Sequence, residues 1–465
     1  MDGGDPSATM DDRATTDGDV SGDSSNREAA RQDRAGSPGR TGAPRRGLSR
    51  RELLASVGGS MLGAGALAAG LGLSSSPPVV SGTAYAEDTE PFYRSGAQGG
   101  ITTTPQAASY FASFDVTASQ RSDVRDLLRA WSAAAARLTV GEPAAALSTD
   151  GSVVEPDSMD ALGIGPSRLT VTVGLGTGLF DKEGEDRFGL ASRRPAALVE
   201  LPRFPNDQLI EQKTGGDLTI QACADDAQVA FHAVRQLARL ADGACTLRWG
   251  QAGFNESAAS EGTPRNLMGF KDGTINPSGN ELQRFVFVGD EGPAWMRGGS
   301  YLVARRIRIS LEHWDRETLS VQQQVIGRHK ASGAPLGETG EFDPLDLDRT
   351  DGSGNPLIPL DAHVRLASPQ LNKGQMILRR SYAYNDGMSP FVERWPPWQE
   401  ALLYDAGLLF MAYQRDPRLG FIAIFQNLAE NDALGQFTTQ TGSVIVALPP
   451  AAQGPGHFVG EGLFA

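Results

Sequence analysis

The sequence predicts an α+β fold with antiparallel sheets, arranged as two related domains at residues 87–265 and 266–465. Three observations predict it. Strand-patterned and helix-patterned segments follow one another loosely, without the regular strand–helix–strand rhythm of a parallel sheet. Each half carries a similar set of these segments. A chain of 465 residues with 40% apolar side chains also has enough apolar material for two cores.

Taken in order, residues 117–138 are expected to be helical, because Val124, Leu127, Leu128, Trp131 and Leu138 fall at helical spacing. Residues 169–173 alternate cleanly and predict a strand. The glycine run that follows, Gly174 to Gly178, lacks the full spacing of a dinucleotide-binding turn and reads as a loop. Residues 218–223 predict another strand and 225–240 another amphipathic helix, with Asp225 or Asp226 as its first-turn anion. In the second half, 284–288 and 301–311 are strand-like, and 316–326 is helical. Residues 333–355, dense in Gly, Asp and Pro, read as a long polar insertion. Strands are predicted again at 376–380 and 408–413, and 420–428 opens the last helix.

The first 86 residues do not read as fold. Residues 1–44 are rich in Asp, Gly, Ser and Arg, with almost no large apolar side chains, a composition that cannot build a core. Ser49-Arg50-Arg51-Glu52-Leu53-Leu54 then opens a weakly apolar segment running to Leu73, and Ala84-Tyr85-Ala86 has the small residues a signal peptidase requires. The paired arginines mark a twin-arginine export signal, which carries proteins across the membrane already folded. The competing reading is a membrane anchor, for which the segment is long enough at about 20 residues. Its glycine content and the Ala-x-Ala site favour cleavage and an extracellular or cell-envelope product. A net charge of −14 argues against a nucleic-acid partner, since neutralising phosphates needs a basic face.

The two cysteines, Cys223 and Cys245, are no disulfide framework, although an exported protein could pair them. Cys223 ends an apolar alternation and reads as a core residue. No Cys-x-x-Cys-His motif is present, which excludes covalent c-type haem attachment. With only five histidines each can be weighed singly. His232 sits on an amphipathic helix and reads as structural; His313 and His329 flank charged residues, and His457 lies in the Gly/Pro-rich tail. No pair has zincin spacing, and no cluster suggests a closed zinc site. His363 stands in an apolar-alternating stretch broken by Ser368-Pro369, where a buried, hydrogen-bonded imidazole is the ordinary outcome.

The stretch richest in chemistry is Arg265-Asn266-Leu267-Met268-Gly269-Phe270-Lys271-Asp272-Gly273-Thr274. Gly269 and Gly273 permit a tight turn and close approach to a flat ligand. Asp272 is thereby either a turn-capping carboxylate or a rigidly presented acid/base. Further on, Arg379 and Arg380 end an apolar run, and successive strand residues point to opposite faces. One of them faces inward and needs an anion, which a salt bridge would satisfy.

Taken together, Gly269-Phe270-Lys271-Asp272-Gly273, His363 in His-Val-Arg-Leu-Ala, and Ile377-Leu378-Arg379-Arg380 resemble the dye-decolorizing peroxidases, specifically the exported, deferrochelatase-like branch. The resemblance extends over most of the chain beyond the leader, through Gly215-Gly216-Asp217-Leu218, Phe231-His232-Ala233-Val234, Trp314-Asp315-Arg316 and Gln414-Arg415-Asp416-Pro417. It implies two ferredoxin-like domains with one haem b in the C-terminal one, and His363 as the iron ligand. Asp272 and Arg379 would be the catalytic pair on the distal face. Gly273, Thr274, Ile275, Ser368, Pro369 and Gln370 would lie against the cofactor with Arg379. The implied substrates are hydrogen peroxide and an aromatic reductant such as a dye or phenol. Iron release from haem in concert with an iron-uptake permease, or haem carriage without catalysis, are the alternatives, and a homodimer is compatible with either. Asp416 is the expected acceptor for the His363 imidazole, and Tyr382, Tyr384, Trp395 and Trp398 are candidates to relay electrons outward or simply to pack. Two departures stand out: Gly96-Ala97-Gln98 replaces the branch's Glu-His-Gln, and Ser368-Pro369-Gln370 replaces its Asn-Pro-Arg, removing a cation.

Overall fold

The computed structural model describes residues 89–205, 207–255, 263–392 and 400–465. The segment read as a leader with an export signal lies outside these residues, as do Trp395 and Trp398. In the first half the chain runs β1 (Ala108–Val116), α1 (Arg121–Leu138), β2 (Thr170–Gly176), β3 (Leu218–Ala224), α2 (Ala227–Leu240) and β4 (Cys245–Phe254). The strands order as β2-β3-β1-β4, all antiparallel. A β-α-β-β-α-β chain in that order is the ferredoxin-like motif.

The second half repeats it with insertions. α3 (Asn280–Phe285) precedes β5 (Ser300–Ile309), and α4 (Leu311–Trp314), α5 (Leu319–Ile326) and α6 (His363–Leu366) follow. β6 (Leu378–Arg379), β7 (Tyr382–Val392), β8 (Glu400–Gln414), α7 (Phe421–Asn431) and β9 (Thr438–Leu448) complete it. Its main strands order as β7-β8-β5-β9, the same topology. β9 pairs with β2 and β7 with β4, so the two sheets join edge to edge and close into a barrel-like ring. Closure removes the free edges that each four-stranded sheet would otherwise present.

Local rules explain most boundaries. The apolar face predicted for α1 is buried, and the Trp131 indole donates to the Leu237 carbonyl at 2.7 Å, fastening α1 to α2. Asp226 caps α2 by accepting from Gln228 N and Val229 N, while Asp225 instead pairs with Arg168. α5 begins at a Thr318 cap and stops at Gly327, whose φ of 87° suits glycine alone.

Several expected elements differ. Residues 284–288 are not a strand: the Pro277-Ser278-Gly279 turn launches α3, which ends at Phe285, and the apolar residues there and just beyond it, Phe285, Val286 and Val288, are buried without strand pairing. The helix expected at 316–326 begins only at Leu319, after its Thr318 cap, and a separate short helix, α4, ends before it at Trp314. The strand expected at 376–380 spans only two residues, and His363 opens a helix of four, too short for its period to show. The glycine run is not all loop, since β2 continues to Gly176. A Cβ at Gly174 would meet Thr219 Oγ1 at 2.4 Å and Val446 at 2.5 Å, so glycine lets β2 approach its neighbours there. Cys223 and Cys245 are free and buried, and burial pushes the Cys245 thiol up to about 12.

One polar hub in the first half is centred on a buried carboxylate. Asp217, 2% exposed, accepts from Lys182 Nζ at 3.0 Å, Arg187 at 2.9 Å and the Val116 N–H at 2.9 Å. Asp217→Ala leaves two cations without their shared anion and is expected to cost about 3 kcal/mol. Equilibrium denaturation measures this, and a loss below about 1 kcal/mol would show that water replaces the carboxylate.

Candidate active site

The alternation of β5 places Ile307 and Ile309 on one face, and with Leu408 and Phe410 of β8 they form an apolar floor. α7 lies across this floor, contributing Phe421, Phe425 and Leu428. Between them is a cavity of about 1630 Å³ of empty space, its open mouth included. His363, Asp272 and Arg379, far apart in sequence, all line it.

His363 is the first residue of α6. Its Nδ1 lies 2.6 Å from Asp432 Oδ2, at the C-terminal end of α7. Asp432 is itself fixed, its Oδ1 accepting from the Leu434 N–H at 2.8 Å. Nδ1 therefore donates to the carboxylate and Nε2 is the free ring nitrogen. The His363 side chain is 32% exposed, and it faces the cavity. Burial works against its protonation, but the Asp432 charge and hydrogen bond outweigh it, so its pKa is raised.

Asp416, expected in Asp432's place, is elsewhere. It binds Arg418, at 2.6 Å, in the turn between β8 and α7. Both aspartates flank α7, one at each end, and sequence spacing cannot say which end turns back toward α6. The fold does, through an Ala433 N–H to Asp361 carbonyl bond of 3.0 Å that holds the C-terminal end of α7 beside α6.

Asp272 and Arg379 form an ion pair at 3.2 Å between Oδ1 and the guanidinium. The Arg379 guanidinium also donates to the Ile275 carbonyl at 3.4 Å. Arg380 points the other way, as strand alternation requires, and donates to the Thr103 carbonyl and to Gln106. The charges of Asp272 and Arg379 both reach His363, so the three groups share one electrostatic environment.

The acid loop is heavily braced. Gly269 and Gly273 have φ of 83° and 111°, and a Cβ on Gly269 would come within 2.6 Å of Lys330 Cε. Arg265 donates to the carbonyls of Gly269, Lys330 and Ala331, at 2.9, 2.7 and 2.7 Å. Glu341, from the segment read as a polar insertion, binds Lys271 and accepts from Thr274 Oγ1 at 3.2 Å, gripping the loop on both sides of Asp272. Arg328, 5% exposed, holds the insertion's backbone through the Gly333 and Glu341 carbonyls and also lines the cavity. Burial and the neighbouring Arg379 push its pKa down to about 10.

Gly273, Thr274, Ile275, Ser368, Pro369 and Arg379 all line the cavity. Gln370 does not; it is exposed and donates to the Leu345 carbonyl at 3.3 Å. Helix α6 ends at Leu366, and the turn that follows carries residue 370 away from the cavity. Tyr382 and Tyr384 are fully buried and do not line the cavity. His232 lies 2.8 Å from Asp160 and is structural, as read from sequence. Gln98, at the departure from the branch's motif, latches Val173 and Pro449 through three bonds of 2.8–2.9 Å. Arg328, Glu341 and Asp432 were not singled out in the sequence. Only Arg328, next to the helix-ending Gly327, left a local trace.

Comparison with known proteins follows the same two halves. Residues 98–255 match the family described as Dyp-type peroxidase, N-terminal, and residues 263–453 match Dyp-type peroxidase, C-terminal. A dye-decolorizing peroxidase of Thermobifida fusca is 38% identical across 90% of this chain and 98% of its own. A deferrochelatase of Escherichia coli K12 is 35% identical across 89% of this chain and 96% of its own. Among solved structures, an oxyferrous/water mixed complex of DtpA from Streptomyces lividans superposes with a TM-score of 0.73 at 41% identity, covering 81% of this chain and 98% of that one. Likeness that runs through both ferredoxin-like halves and nearly the whole length of these relatives places the chain in the Dyp-type peroxidase family.

Proposed function

We propose that this protein is a haem b peroxidase that reduces hydrogen peroxide at the expense of aromatic reductants such as dyes or phenols. The observation that carries the reading is the cavity itself: an imidazole with one free nitrogen, and a carboxylate–guanidinium pair, on largely apolar walls. Among the described residues no group of three or more His, Cys, Asp or Glu could hold a bare metal ion. A single free imidazole suits an iron that brings its remaining ligands with it in a porphyrin, and the cavity has room for such a group.

His363 Nε2 would hold the iron, with Asp432 fixing the ring's tautomer and orientation. Gly273, Thr274, Ile275, Ser368 and Pro369 would lie against the porphyrin. Haem, when bound, supplies the redox chemistry. Asp272 takes a proton from one peroxide oxygen and returns it to the other. Arg379, which stays charged, stabilises the negative charge that grows on the departing oxygen. In balance, one hydrogen peroxide takes two electrons and two protons from the reductant and becomes two waters.

The second reading is iron release from haem, favoured by the likeness to proteins named deferrochelatase. It needs the same cavity and would bring an iron permease as partner. The export signal at Ser49–Leu54 and Ala84–Ala86 supports a site of action in the cell envelope or beyond.

Reconstitution with hemin is expected to give a Soret band that shifts on addition of stoichiometric peroxide. Asp272→Asn and Arg379→Ala should each slow that shift about 10²- to 10³-fold. A band indifferent to peroxide, with iron lost and porphyrin kept, would favour the second reading; absence of any band would end both.

Asp432→Ala is expected to weaken hemin binding to the apoprotein about 10- to 100-fold, measured by titration, whereas Asp416→Ala should leave it unchanged.

A further inference from the structure

β6 and β7 lie on one edge of β8 as a single strand interrupted at Arg380-Ser381, and Arg379 sits just before the break. The Arg380 N–H donates to the Met411 carbonyl of β8 at 2.9 Å. Hydrogen bonding alternates along an antiparallel pair, so the N–H and C=O of Arg379 itself point away from β8. Among the described residues no strand lies on that side of Arg379. A short, singly paired edge segment is a poor platform for a side chain that must hold one geometry.

The missing ladder partner is a side chain. Asn276 Nδ2 donates to the Arg379 carbonyl at 2.9 Å, and Asn276 Oδ1 accepts from the Arg379 N–H at 3.0 Å. The carboxamide thus reproduces both bonds of a neighbouring strand. Asn276 is four residues beyond Asp272, and the Ile275 carbonyl between them takes the Arg379 guanidinium. One loop therefore presents the acid, receives the guanidinium and clamps the arginine's backbone.

We infer that Asn276 is a positioning residue, which sets Arg379 at its working distance from Asp272. The inference rests on the peroxidase reading of that pair. Asn276 itself is absent from the cavity wall, so it acts through Arg379 and not on substrate.

The test is a double-mutant cycle on the hemin-loaded protein, following the rate of reaction with hydrogen peroxide by stopped flow, with hemin affinity and thermal unfolding measured alongside. Asn276→Ala should slow the reaction about 10- to 100-fold in the otherwise native chain. In the Arg379→Ala background it should add less than about twofold, and hemin affinity should stay within about twofold. If the Ala variant does not fold, Asn276→Asp replaces it in the same cycle, since it keeps the acceptor for the Arg379 N–H and loses only the donor. Equal losses in both backgrounds, or a fall in hemin affinity that tracks the rate, would overturn the inference. An Arg379→Ala protein as fast as the native one would instead remove the catalytic role of Arg379, and the inference with it.

Discussion

A guanidinium facing an apolar cavity needs an anion, and much of the site's construction follows from giving Arg379 one. Its partner, Asp272, comes from a loop that has no regular structure of its own to hold it. The protein compensates with cross-braces: Arg265 on three carbonyls, Glu341 on both flanks, and glycines at the two positions where the backbone adopts positive φ. The polar segment 333–355 is thus a part of the site's scaffold, because it delivers Glu341. Without that segment Lys271 would lose its ion-pair partner and Asp272 would hang from a looser hinge.

The barrel-like sheet sets the distances at a larger scale. Each ferredoxin-like half offers two edges, and among the described residues the joints between halves are narrow: two residue pairs between β2 and β9, and one between β4 and β7. Close approach at the first joint depends on Gly174, which lies against both Thr219 and Val446. The second joint sits beside the strand that carries Arg379. Closure nonetheless leaves neither half with a free sheet edge and ties β7, which continues from the strand of Arg379, to the first half.

What the sequence disclosed, and what it hid, divides along physical lines. Helical period was readable in α1 and α2, where 14 or more residues repeat it, and unreadable in α6, where four do not. Strands β1, β4, β7 and β9 escaped notice; β4 alternates buried and exposed residues, but with glycines and polar side chains interspersed. The trio His363, Asp272 and Arg379 was legible because each belongs to a local motif. Asp432 was not, since the choice between it and Asp416 depends on which end of α7 turns back. Asn276 was invisible for a similar reason: its partner is the main chain of a residue 103 positions away, and backbone partners leave no mark on composition.

Two aspartates in this cavity are held in different ways, and the difference assigns their work. Asp432 is 7% exposed and spends both oxygens, one on His363 and one on the Leu434 N–H. A carboxylate so committed orients and charges its partner but has nowhere to put a proton. Asp272 is 23% exposed, lines the cavity and engages Arg379 through Oδ1, and among the described residues its Oδ2 has no partner. A group that must accept a proton and give it back needs that open oxygen together with a fixed neighbour to hold it in place. Environment, more than residue type, thus suits one carboxylate to orienting a partner and the other to the proton-carrying role proposed for it within a single pocket.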